Sequence, residues 1–208
     1  MLLKITVEDK QSKNFMRTME SMRPLMKELS LMALSAIQKN IENGVKPDNA
    51  PLTALIKQGK QTLHDNGRLR ASLHARSSKT EAVVATNANY AHIHNPEDGR
   101  TQTVIRPKSS KYLCLPASPK TRKFFRTYGW SPREVIEGFR AKGYAVYRPY
   151  KKGSQIRANV IMAKKKGEAP FALFILKTSV TIPARPFMFL SDDVIQAMSA
   201  RAEAYYGA

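Results

Sequence analysis

The sequence predicts an α+β fold, with a long N-terminal helix packed on a mainly antiparallel sheet, a basic helix-plus-hairpin insertion and a C-terminal helix. Apolar residues recur every three or four positions between Phe15 and Ile41, which is the period of an amphipathic helix. Several short segments that alternate apolar and polar residues, or are continuously apolar, are typical of strands. Charge is also segregated, because residues 99–170 hold 18 Lys and Arg against three Glu, whereas the remaining residues hold 17 against 13 acids. The sequence therefore predicts a nearly balanced body and a strongly basic lobe.

The composition limits which classes of protein this chain can belong to. The 208 residues carry a formal net charge of +19 with 42% hydrophobic residues, which suits one globular domain or one domain with a large insertion. The single cysteine, Cys114, leaves no disulfide framework and no cysteine-based metal site, and a small buried side chain is the favoured interpretation. No apolar run approaches the ~20 residues of a membrane span, so we expect no membrane partner. We expect no signal peptide before the first predicted strand. The lone cysteine fits a cytoplasmic assembly compartment. The positive charge predicts a polyanionic partner, nucleic acid first.

The first part of the chain predicts a strand followed by the long helix. Leu3, Ile5 and Val7 alternate with polar residues as in a short strand. Pro24 interrupts the helical pattern, so either the helix kinks there or Pro24 stands in its first turn. Asn43-Gly44 is typical of a helix C-terminus. The methionines of this element could form an adaptable partner-binding face, but a core helix lying on the sheet is favoured: Met16, Met19, Met22, Met26 and Met32.

Between this helix and the basic segment the sequence predicts a loop, a short helix and a strand. Residues 46–61 contain the prolines and glycine typical of a loop. Asp65 is expected to cap a short helix whose buried pair is Leu69 and Leu73. Residues 81–86 are predicted to be a strand.

His92 and His94, near Glu97 and Asp98, are the one cluster that resembles a metal site. If residues 90–94 are extended, both imidazoles point to one face, as a divalent metal would require. Two histidines without a third ligand at a suitable spacing favour a structural or surface role. We expect no catalytic residue, no metal and no cofactor.

The basic segment predicts a small lobe made of a helix and a hairpin. A proline-containing loop leads to the basic-aromatic run at 120–128, whose aromatic side chains could either stack on bases or anchor the lobe. Ser131-Pro132-Arg133-Glu134 is a capping box with proline at the first helical position, and the helix that it opens is expected to end at Gly143. Its expected buried residues are Val135, Ile136 and Phe139. Strands are predicted around residues 144–150 and 155–163, joined by a turn at 151–154.

These elements divide the chain into a body, residues 1–98 and 171–208, and an insertion lobe, residues 99–170. The candidate DNA-facing basic residues lie in the lobe: Lys120, Arg122, Lys123, Arg126, Lys151, Lys152, Lys164, Lys165 and Lys166.

Residues 182–190, here named the strap, join a buried strand at 171–176 to a C-terminal helix capped by Ser191 and two aspartates. Pro183 and Pro186 lack a backbone N–H and disfavour helix in the residues before them, so the strap is predicted to be stiff and extended, with Arg185 between the prolines and Phe187 and Phe189 as anchors. It is either a docking joint or a proline-rich connection that ends a strand. The candidate oligomer or partner contacts are Pro183, Arg185, Pro186 and Phe187.

Three stretches together resemble the phage virion morphogenesis family, the tail-completion proteins of contractile-tailed and Mu-like phages. Residues 65–73, DNGRLRASL, are similar to the family's D-T-G-x-L-x-x-S-I, with Asn66 in place of threonine. Residues 84–94, VATNANYAHIH, are similar to V-G-T-N-x-x-Y-A-x-I-H, with Ala85 in place of glycine. The strap is similar to I-P-A-R-P-F-L-G-L-S, with Met188-Phe189 in place of Leu-Gly, and Pro51-Leu52-Thr53 resembles a further element.

The resemblance spans about residues 15–95 and 171–200 and implies a structural, non-enzymatic protein of the head–tail junction in the virion. It implies tail completion, head–tail joining, a homo-oligomeric ring that could be a hexamer, and contacts with other neck or tail proteins. The basic lobe would then contact DNA without reading its sequence. Two other classes stay open: a nucleic-acid-binding regulator that uses the basic insertion, and, least favoured, a metal nuclease that uses His92, His94 and Asp98.

Overall fold

The computed structural model describes residues 2–6, 22–57 and 61–206, and the structural statements below concern those residues. The chain divides into two compact units. The first unit comprises Met1–Asp48, Gly59–Thr103 and Pro183–Ala208, and the second comprises Asn49–Gln58 and Val104–Ile182. The second unit contains most of the predicted insertion and also residues 49–58 and 171–182, which the sequence assigned to the body.

The first unit contains a three-stranded antiparallel sheet in the order β1-β3-β2. The strands are β1 (Leu2–Thr6), β2 (Leu73–Ser77) and β3 (Glu81–Thr86). The central strand β3 confirms the strand predicted over the same residues. β1 confirms the predicted first strand as far as Thr6, and Val7 lies outside the described residues.

A 22-residue helix, α1 (Met22–Asn43), packs against β2 and β3 and supplies one side of the core. Its buried apolar residues repeat at helical spacing: Met22, Leu25, Met26, Leu29, Ala33, Ile37 and Ile41. Each large side chain in such a stripe contributes on the order of 2 kcal/mol through burial. Pro24 is the third described residue of α1. The predicted helical residues before Met22 lie outside the described ones, and no described helix is both long and apolar enough to cross a membrane.

The prediction for residues 65–73 is wrong in two respects. Helix α3 is a single turn, Arg68–Ala71, and Gly67 precedes it with φ of +76°, so Asp65 does not cap it. Leu73 is buried as predicted, but it begins strand β2 instead of continuing the helix. The four-residue spacing of Leu69 and Leu73 fits a helix, yet pairing with β3 determines the backbone from Leu73 onward.

The second unit contains a four-stranded antiparallel sheet in the order β5-β8-β7-β6. The strands are β5 (Leu113–Pro116), β6 (Ala145–Tyr147), β7 (Val160–Lys164) and β8 (Phe171–Lys177). Two helices, α5 (Pro119–Tyr128) and α6 (Pro132–Ala141), pack on this sheet around a core that includes Val135, Phe139 and Phe174. Helix α2 (Pro51–Ile56) also belongs to this unit. Strands β4 (Gln102–Ile105) and β9 (Val180–Pro183) pair with each other.

The capping box predicted at the start of α6 is confirmed. The Glu134 N–H donates to Ser131 Oγ at 3.4 Å, and the Ser131 N–H donates to Glu134 Oε2 at 2.6 Å. Because both bonds lie within four residues, this helix start is specified locally. Val135 and Phe139 are buried as predicted, Ile136 is half-buried, and α6 ends at Ala141 before Gly143. The predicted hairpin is present as β6 and β7, with shorter strands than expected.

Helix α5 was not predicted. Its start has a local signal, because Ser118 Oγ accepts a hydrogen bond from the Thr121 N–H at 3.2 Å and Pro119 occupies the first turn. The aromatic residues of α5 anchor the second unit: the Phe124 and Phe139 ring centroids lie 5.1 Å apart, and those of Phe125 and Phe174 lie 5.8 Å apart. Of the two interpretations of this basic-aromatic run, anchoring of the lobe is therefore the one that the structure supports.

Candidate functional site

The strap contains no helix or turn, and it lies within the first unit from Pro183 to Leu190. Strand β9 ends at Pro183, and the Ala184 N–H donates to the Thr101 carbonyl at 2.8 Å. The C-terminal helix α7 (Asp192–Tyr206) begins two residues after the strap and packs against α1. The strap therefore joins a strand to a C-terminal helix, as the sequence predicts.

Arg185 is buried, with 7% of its surface exposed, and its contacts lie inside the first unit. Nε donates to the Pro47 carbonyl at 2.6 Å and Nη2 donates to the Asp48 carbonyl at 3.0 Å. Its backbone N–H donates to the His94 carbonyl at 2.7 Å. Burial lowers the pKa of the guanidinium from its ordinary value, and the Asp48 carboxylate opposes that change. Because the two carbonyls satisfy donors of a planar fork, lysine cannot reproduce both bonds.

Two asparagines, Asn95 and Asn40, hold the next residues of the strap. The N–H groups of Phe187 and Met188 both donate to Asn95 Oδ1, at 3.0 and 2.9 Å. Asn40 Nδ2 on α1 donates to the carbonyls of Phe187 and Phe189, at 3.1 and 2.9 Å. The Phe187 side chain is fully buried in the core beside α1. The strap therefore ties α1, the loop at 47–48 and the end of the 91–95 segment together.

The four residues that the sequence suggests as partner contacts differ in solvent exposure. Arg185 and Phe187 are buried inside the first unit, and Pro183 is half-buried. Pro186 is exposed, and so is Phe189, which keeps 46% of its surface accessible and therefore does not serve as the expected anchor. The strap surface that a partner can reach is thus that of Pro186 and Phe189.

The nine candidate DNA-facing residues all lie in the second unit, and eight of them are exposed. Arg122 is the half-buried one, because its Nη1 donates to the Ile56 carbonyl at 3.0 Å and so ties α5 to α2. Lys120 lies over the rings of Phe139, Tyr144 and Phe171, at 5.2–5.9 Å from their centroids. The remainder lie on α5, in the 151–154 turn, and at the last residue of β7 and the two residues after it.

The second unit is strongly positive because its few acids are outnumbered. It holds 19 Lys and Arg against three Glu, a formal net charge of +16, whereas the first unit has a net charge of +3. The three acids already have contacts: Glu134 closes the capping box, Glu137 pairs with Arg133 at 3.0 Å, and Glu168 accepts from the Tyr144 hydroxyl at 3.4 Å. A surface with this excess attracts polyanions.

The arrangement of His92 and His94 differs from the extended geometry that a metal site would need. Residues Ala91–His94 form a single helical turn, α4, and side chains two positions apart on a helix do not face each other. Asp98 Oδ1 lies 2.8 Å from Arg100 Nε, and this bond lowers the pKa of the Asp98 carboxyl. Within residues 2–6, 22–57 and 61–206, no group of three or more His, Cys, Asp or Glu could hold a metal ion.

Cys114 is half-buried on β5. Burial raises the pKa of its thiol, which disfavours the reactive thiolate. The favoured interpretation of a packed side chain agrees with its contact with the apolar core of the second unit.

Comparison with models of known families finds a match between residues 6–117 and the phage virion morphogenesis family. The matched segment covers 65–73 and 84–94, which carried two of the resemblances, and ends before the strap. Searches of curated proteins and of solved structures find no match.

Proposed function

The chain belongs to the phage virion morphogenesis family, and we propose that it completes the phage tail and joins it to the head at the neck. Membership indicates a role in virion assembly and favours a structural over a catalytic role. In the proposal, the protein assembles as a homo-oligomeric ring in the host cytoplasm, contacts other neck or tail proteins and remains at the head–tail junction of the virion.

The observation that carries the proposal is the segregation of charge between the two units. A neck ring surrounds the path of the packaged DNA, and a unit with a net charge of +16 would be attracted to the phosphates of that duplex. Contacts of lysine and arginine with phosphates carry no sequence information, which suits a protein that must accept any DNA sequence. The second unit is therefore proposed to face the DNA.

The test is the salt dependence of binding to duplex DNA of random sequence. Lys151, Lys152 and Lys166 are exposed in the second unit, and their triple substitution by Gln removes three charges from the proposed surface. Because each phosphate contact contributes about 0.9 to the slope of log Kobs against log salt concentration, the slope should become shallower by about 1–3.

A matched control removes three exposed lysines from the first unit, Lys27, Lys39 and Lys79, again by substitution with Gln. The control should leave the slope near its wild-type value. Equal slopes for the wild type and the second-unit variant would rule out the DNA-facing role. A strong preference for one DNA sequence would instead favour the regulator.

A further inference from the structure

An open groove of about 840 Å³ lies within the second unit, and residues of α6 and of the four-stranded sheet line it. Its apolar lining comes from β5, α6 and the strands that follow: Leu113, Cys114, Ile136, Val146, Ile161 and Leu176. Basic side chains also line it: Lys108, Lys111, Arg133, Arg140 and Arg148. No acidic residue is among the described residues that line the groove.

The cations of the groove are only partly satisfied by this chain. Among the basic residues that line the groove, Arg133 alone pairs with a carboxylate of the described residues, and its partner is Glu137. Arg148 is fixed in place, because its Nε donates to the Ala158 carbonyl at 2.6 Å and its guanidinium lies 4.9 Å from the centroid of the Tyr112 ring. A carboxylate from an occupant would find one prepositioned positive partner in Arg148 and further positive charge on the other basic side chains of the groove.

The apolar lining distinguishes this groove from a phosphate-binding surface. A duplex presents phosphates on its outside and cannot fill an apolar floor such as that of Leu113, Ile136 and Leu176. The occupant must combine large apolar side chains with carboxylates, which describes a protein segment and not a nucleic acid.

The first unit presents a segment of this kind at the junction of the strap and α7. The Phe189 and Ile195 side chains keep 46% and 47% of their surface exposed, and Asp192 and Asp193 are exposed between them. Asp192 and Ile195 are three residues apart on α7 and therefore neighbours on its surface. Residues 187–200 contain these two acids and no Lys or Arg.

We propose that the groove of one copy binds the Phe189–Ile195 segment of a second copy, with Asp192 and Asp193 against the basic side chains of the groove. The contact joins two different surfaces, so it is head-to-tail, and repetition of such a contact closes a ring when the rotation between copies permits. The inference rests on the proposed function as a ring-forming protein and specifies which surfaces meet.

Sedimentation velocity of the full-length protein at physiological salt tests this contact by charge reversal. The groove variant is Lys108→Glu with Arg140→Glu, the segment variant is Asp192→Lys with Asp193→Lys, and Lys79→Glu is a control at an exposed site outside both surfaces. Each reversal should weaken self-association about tenfold or more, because like charges then face each other across the contact. The control should associate as the wild type does.

Mixing the two charge-reversed variants should restore association, since a lysine-bearing segment then meets a glutamate-bearing groove. Circular dichroism on each variant alone verifies that it is folded. If the wild type forms rings and neither charge reversal weakens them, this inference is overturned and the proposed function stands. The same holds if the variants lose association and do not recover it when they are mixed. A wild-type protein that stays monomeric at every concentration would overturn the ring as well.

Discussion

Asn95 provides the sharpest test of how the strap is held. Its Oδ1 accepts the N–H groups of Phe187 and Met188, and both residues are buried. Asn95→Ala removes this acceptor without removing either donor. Asn95→Asp keeps an acceptor oxygen at the same position and is the matched control.

The expected loss of stability follows from the two N–H groups, of Phe187 and Met188, that would lack an acceptor. A buried N–H left without a partner costs about 1–3 kcal/mol, so losing the acceptor for two N–H groups should cost about 2–6 kcal/mol. Since 1.4 kcal/mol corresponds to a factor of ten, the opening equilibrium of the strap should rise about 30- to 20,000-fold. Asn95→Asp should lose much less, because its carboxylate still accepts both bonds.

Hydrogen–deuterium exchange followed by mass spectrometry measures this opening directly. Peptides that cover residues 184–190 should exchange faster in Asn95→Ala, whereas peptides from β8 in the second unit serve as an internal reference. Strap amides of Asn95→Ala that exchange at the wild-type rate would refute this role of Asn95, and so would an Asn95→Asp variant that exchanges as fast as Asn95→Ala.

Three further outcomes follow from the packing and the helix caps. Gly138→Ala should destabilise the second unit by about 1–3 kcal/mol, because a Cβ there would lie 2.7 Å from the Trp130 ring. The near-ultraviolet circular dichroism of Trp130 should also change. An unchanged spectrum and an unchanged stability would contradict this close approach. Phe187→Ala should cost about 3–5 kcal/mol in urea unfolding, since its ring is fully buried in the core of the first unit, and a loss below 1 kcal/mol would show that the core does not depend on it. The hydrogen bonds from Ser131 lower the pKa of Glu134 below its ordinary 4.5, so the ionised carboxylate should stabilise α6 above that pH and lose this effect as the pH falls through the folded-state pKa. Glu134→Gln should flatten this part of the pH–stability profile. An unaltered profile would refute the stabilising role of the Glu134 carboxylate.

The sequence predicted the elements whose signals are local. The capping box at Ser131 and Glu134 is complete within four residues, and the buried stripe of α1 repeats along one segment. The course of the strap was also predictable, because Pro183 and Pro186 restrict their own backbone and that of the residues before them.

Elements that depend on distant partners were not predicted. Strand β2 exists through its pairing with β3, and the pattern around Leu69 and Leu73 alone fits a helix equally well. The basic residues of α5 obscured a helix that its Ser118 cap could have indicated.

The candidate site was predictable in position but not in contacts. The sequence singled out Arg185 and Phe187, yet their burial depends on segments far away in the chain. Asn40 and Asn95 carry no sequence signal that connects them to residues 187–189, because hydrogen bonds between such distant positions form only in the folded chain.

The distance along the chain between the strap and its partners has a consequence for synthesis. Asn95 precedes the residues that it binds by 92 and 93 positions, and Pro47 precedes Arg185 by 138. The second unit ends at Ile182, so its whole sequence emerges from the ribosome before residues 183–208, which complete the first unit. We expect the second unit to fold on the nascent chain before the first unit is complete. Protease digestion of arrested chains would show protection appearing in that order, and simultaneous protection of both units would contradict it.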